Sequence, residues 1–174
     1  MSYQAIAQKR LDERELSVRW QLEVWNDQNS RLSELLYELT DDDLQKEVAP
    51  GRGTGSYILG RLAAVNDGMI PLLGLGKKTF PILDEVFPAA KPNAKEVGAS
   101  VAEIRRVWAD LLGVLRENFA RLTTGDWFQK HAAITDEEFA DEPHQNRLRV
   151  LIDKTNNLSF ELGQLASLKN AVGN

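Results

Sequence analysis

The chain has 174 residues, of which 43% are hydrophobic and 27% charged, with a formal net charge of -5 and a pI near 5.1. These values exclude wholesale disorder and suit one domain over 1–174 that buries its own core. An acidic balance offers no basic face for nucleic acid, and the absence of cysteine excludes disulfides, thiolate metal sites and cysteine nucleophiles.

The start, MSYQAIAQKRLDERE, lacks the apolar core of a secretory signal. No apolar run approaches the ~20 residues of a membrane span. The expectation is a cytoplasmic protein without nucleic-acid or membrane partners. From about Ser2 to Leu39 the pattern predicts one long amphipathic helix. Its stripe is Leu11, Val18, Leu22, Trp25, Leu32, Leu36 and Leu39, interrupted by Glu15 and Asn29. Trp20 falls off that stripe, either to meet a second surface or to be partly buried.

Thr40-Asp41-Asp42-Asp43 ends this helix and caps a short turn. Pro50 to Gly55 (PGRGTG) reads as a turn-rich loop; without a preceding strand or a Gly-Lys-Ser/Thr ending it is no phosphate loop. Ser56 is the predicted cap of a second helix from Tyr57 to about Gly74, with Ile58, Leu62, Val65, Met69 and Leu73 inward. Arg61 lies beside that stripe, one turn after Tyr57.

Gly74 to Gly98 is a long connection carrying Pro81, Pro88 and Pro92. Phe80, Ile82, Leu83, Val86 and Phe87 give it enough apolar weight to pack down as a structured crossover. Ser100 and Glu103 form a capping box for a third helix, Val101 to Leu122, with Ile104, Trp108, Leu111, Leu112, Leu115 and Phe119 inward. Thr124-Gly125-Asp126 closes it, and Thr135 with Glu138 opens a short further helix.

The last helix runs from Asn146 to Asn170, with Leu148, Leu151, Ile152, Leu158, Leu162, Leu165 and Leu168 as its stripe. On the stripe's edge sit Asn157 and Glu161, one turn apart and followed by Gly163 and Gln164. Side chains at i and i+4 aim at one spot, which is a site geometry. Four long helices with a long second connection, and no convincing strand, predict an all-α four-helix bundle.

Two stretches carry a resemblance: PGRGTGSYILGRLAAVNDGMIPLLGLG and NRLRVLIDKTNNLSFELGQL. Together they resemble the DinB-like (YfiT-like) superfamily of metal-binding four-helix proteins, closest to a bacterial subgroup sharing the segment DEEFADEPHQNRL. The likeness covers most of the chain. It implies a bundle with a long crossover between helices two and three, and commonly a homodimer. Family members typically hold nickel or zinc between three histidines, one in a Leu-Gly-His-Leu setting and two in a His-x-x-x-His pair before Gly-Gln. The matching positions here are Arg61, in Leu59-Gly60-Arg61-Leu62, and Asn157 and Glu161. None is histidine.

Arg61 stays protonated and has no lone pair to offer, Asn157 has only a weak amide oxygen, and one carboxylate does not make a transition-metal site. No metal or other cofactor is expected, with nickel or zinc only if the altered site still binds one. Three readings follow for the remaining residues. Arg61 and Glu161 pair directly and replace the metal as a polar link, with Asn157 satisfying a leftover group; the two reach solvent in a shallow cleft; or Arg61 holds a small anionic ligand beside Tyr57, Asn157 and Glu161.

His131 and His144 fall in the region before the last helix, where the resemblance assigns no ligand, and read as capping or surface residues. No serine lies in a nucleophile motif, so no catalytic residue is assigned. The function implied is a DinB-like protein with a degenerate metal site, a non-catalytic or small-ligand-binding module. The alternative is a metal-dependent hydrolase or thiol transferase of that type using an altered ligand set.

Overall fold

A computed structural model describes residues 3–88 and 98–170, and among these the side chains of 8–10, 12–88 and 98–169. The described residues form helices and no strand: α1 (Tyr3–Glu38), α2 (Asp41–Leu44), α3 (Gly55–Asp67), α4 (Met69–Leu72), α5 (Leu83–Val86), α6 (Val101–Phe119), α7 (Thr124–Trp127), α8 (Asp136–Asp141) and α9 (Arg147–Asn170). The all-α reading therefore holds. The expected start at Ser2, the side chain of Leu11 and the part of the crossover spanning 89–97 lie outside the described residues.

The long helices pack in the order α1, α9, α3, α6. Lys169 near the end of α9 meets Glu38 at the end of α1, at 2.5 Å, so these two helices run parallel. A Cβ on Gly55, which opens α3, would touch Leu168 near the end of α9, so α3 runs against α9. Near the start of α6, Arg105 reaches the carbonyls of Leu36 and Leu39 at the end of α1, so α6 runs against α1. The helices α3 and α6 are thus parallel. A parallel pair needs the chain to return along the full length of the bundle between them, which is why the second connection is long.

Helix starts follow the side-chain chemistry. Thr40, Ser100, Thr123 and Thr135 each close a capping box, with Asp43, Glu103, Asp126 and Glu138 respectively. Two expected boundaries move. Thr54, not Ser56, caps α3: its Oγ1 accepts from the Tyr57 N–H, and Ser56 turns inward to bond Thr54 at 3.1 Å. The segment Thr124 to Asp126 opens α7 instead of merely closing α6, because Thr123 and Asp126 cap each other.

The second helix does not run unbroken to Gly74. It stops at Asp67 and restarts as α4. Pro71 has no N–H for the Asp67 carbonyl four residues back, so the ladder breaks there. The chain then turns at Gly74, whose φ of 70° suits glycine.

The predicted stripes of α6 and α9 face the core they share with α1 and α3, although Ile152 and Leu162 are half-buried at its edge. Asn29, read as an interruption, is itself buried and donates to the Trp25 carbonyl. Glu15 is exposed, and Trp20 is 56% exposed, so that tryptophan is only partly buried. In the crossover Leu83 and Phe87 pack down, whereas Ile82 points outward.

Candidate functional site

The helix α3 is enclosed on nearly every side. From Gly53 to Asp67 only Arg61 and Val65 escape full burial, and Gly68 one turn on is also half-open. These positions share one helical face at i, i+4 and i+7. That face is the single window through which α3 meets the exterior, and Arg61 stands at one end of it.

The crossover forms the wall beside the window. The Phe87 ring covers Gly60 so closely that a Cβ there would sit 2.2 Å from its ring carbons. Tyr57 is buried, packs its ring 5.7 Å from that of Phe87, and donates its hydroxyl to the Pro88 carbonyl at 3.2 Å. Tyr57 therefore supports the wall from behind. Asp67, fully buried, anchors the start of the same connection by accepting from the N–H groups of Thr79 and Phe80 at 2.8 and 2.9 Å.

The facing element is α9, where Lys154, Asn157 and Glu161 lie on one stripe. Glu161 is buried and accepts a hydrogen bond from the Gln164 side chain one turn on, while Asn157 is half-buried. Burial pushes the Glu161 carboxyl above the usual range; the nearby positive charge of Arg61 and the Gln164 bond act against that rise. Arg61 and Glu161 thus sense each other across the helix pair. The direct Arg61–Glu161 contact considered from the sequence does not form: among the described residues no ion pair within 4.0 Å includes Glu161, and Gln164 donates to one of its carboxylate oxygens.

An open cleft of about 500 Å³ runs from Arg61 along Val65 to Gly68 and Leu72, closed on one side by Phe87 and on the other by Lys154. Lys78 and Asp84 stand at its rim, bonded to each other at 2.5 Å. Arg61 stands out in the sequence and Lys154 does not, although Lys154 precedes Glu161 by two turns on the same face. Lys78, Asp84 and Phe87 enter from the crossover, whose path no periodicity encodes.

The histidines stand apart from this cleft. His131 caps a turn by accepting from the Ala133 N–H at 3.2 Å, and His144 is exposed. Among the described residues no three His, Asp or Glu side chains converge on one point. No described helix is long and apolar enough to cross a membrane. Compared with protein-family models and with curated proteins, the sequence matches none.

Proposed function

We propose that this chain is a DinB-like four-helix bundle whose metal site has been replaced by a protein-only polar cluster, leaving a non-catalytic, small-ligand-binding module. The helix order, with two parallel middle helices joined by a long return, supports the bundle type. One observation carries the functional reading: Arg61 holds its positive charge where the resemblance places a metal ligand, close enough to act on the Glu161 carboxylate. A divalent cation between Arg61, Asn157 and Glu161 would meet a like charge and, among these three side chains, a single carboxylate that is itself hydrogen-bonded by Gln164.

Elemental analysis of the purified protein, with melting curves before and after nickel or zinc, tests this. The expected result is no stoichiometric metal and an unmoved Tm. One metal per chain with a raised Tm would overturn the reading and point to a metal-dependent hydrolase or thiol transferase with an altered ligand set.

A further inference from the structure

The cleft has two ends of different character. From Arg61 to Gly68 the floor is seven residues of helix, about 10 Å. Because α9 runs against α3, Lys154 lies two turns from the Arg61–Glu161 level, toward the Gly68 end. Lys78 reaches the same end, its Cε 3.9 Å from where a Gly68 Cβ would stand, but Asp84 neutralises it.

Lys154 differs from these cations. It is half-buried against the cleft, and among the described residues no carboxylate lies within 4.0 Å of its ammonium. The cleft is therefore lined by a cation that no carboxylate of the described residues occupies, and an anionic group can take that place without breaking an ion pair. Ala64, Val65, Leu72 and Phe87 make the wall between the ends apolar.

We propose that the cleft binds an amphiphilic anion, with a carboxylate or phosphate head on Lys154 and an apolar body lying along Val65 and Phe87 toward Arg61. The inference rests on the metal-free reading of the cleft given above. Pockets of this size with apolar walls and a few placed charges suit such ligands.

Calorimetric titration with octanoate, octyl phosphate, octanol and acetate tests it. One octanoate or octyl phosphate should bind per chain, and the tighter of the two identifies the head group. Octanol and acetate should each bind at least about tenfold more weakly, since each lacks one half of the recognition. Lys154→Gln should weaken the anion by about tenfold with an unchanged melting curve. Val65→Asp should abolish binding by setting a carboxylate in the wall.

Equal binding of octanol, or no effect of Lys154→Gln, would overturn the assignment and leave Lys154 as a lysine whose stem merely packs on the cleft. Repeating the titration on chelator-treated and nickel-supplied protein separates the two readings. Anion binding only with nickel would sink the metal-free cleft; no binding in either preparation would sink the ligand alone.

Discussion

Gly60 lies directly beneath the ring of Phe87, so close that the smallest added side chain would come within 2.2 Å of the ring carbons. This contact lets the crossover press against α3 and sets the wall of the cleft beside Arg61. The absence of a side chain at Gly60 is what the packing uses; its place inside a helix otherwise disfavours it.

The consequence can be read in a double-mutant cycle. Gly60→Ala should destabilise the protein by about 1–3 kcal/mol through overpacking. Phe87→Ala should cost about 3–5 kcal/mol by opening a cavity. In the Phe87→Ala background the Gly60→Ala change should reverse sign, because only helix propensity, worth about 1 kcal/mol in favour of alanine, remains. Urea denaturation of the four proteins measures this. Additive costs would mean that the ring does not define the space over Gly60.

Arg105 fastens α6 to the end of α1. Its guanidinium donates to the Leu36 and Leu39 carbonyls at 2.5 and 2.7 Å and to Asp41 at 2.9 Å. Carbonyls in the last turn of a helix lack partners within it, and a planar fork reaches several at once. Arg105→Lys should therefore behave nearly like Arg105→Ala, each losing about 2 kcal/mol in thermal or urea unfolding. A lysine that restored full stability would show that charge alone holds this end together.

The helix cores and several of their starts were legible in the sequence because both are local signals, although the caps of α3 and α7 fell on Thr54 and Thr123. Leu111 and Leu115 follow the helical period, and Ser100 with Glu103 spells a capping box within four residues. Contacts that depend on path were not legible. Nothing near Asp67 indicates that it accepts from Thr79 and Phe80 after the chain has turned back. The Arg61–Glu161 relationship shows both sides of this limit. Their proximity was expected, whereas the capture of Glu161 by its own neighbour Gln164 depended on rotamers that no spacing specifies.

Asp67 gives the crossover its first fixed point. Removing the carboxylate leaves two backbone N–H groups beside a buried hole, so Asp67→Ala should cost about 2–4 kcal/mol. Asp67→Asn retains one acceptor oxygen and should cost about half as much. Amide exchange at Thr79 and Phe80 should quicken in both variants, more than exchange within α6. Unchanged exchange at those two amides would count against the anchor.

Two carboxylates should move stability with pH in opposite directions. Asp43, hydrogen-bonded by Lys46 and Thr40, is held down to about 2. A lowered folded value means that its contribution is present above the ordinary aspartate range and disappears as pH falls toward 2. Glu161 has the reverse sign, since burial raises its carboxyl above the ordinary 4.5. The folded state then holds the proton longer than the unfolded chain, so stability falls as pH rises through that interval, and the loss is complete above the folded value. Glu161→Gln is neutral and still offers an oxygen to Gln164, so it should lack this fall. Measured by urea unfolding from roughly pH 4 to 8, the variant should gain on the natural protein as pH rises and then hold a constant advantage. Side-chain NMR titration should find Asp43 near 2 and Glu161 above 4.5. A natural protein that gains on the variant with rising pH would mean that Arg61 and Gln164 outweigh burial, and that Glu161 stabilises the fold as a carboxylate.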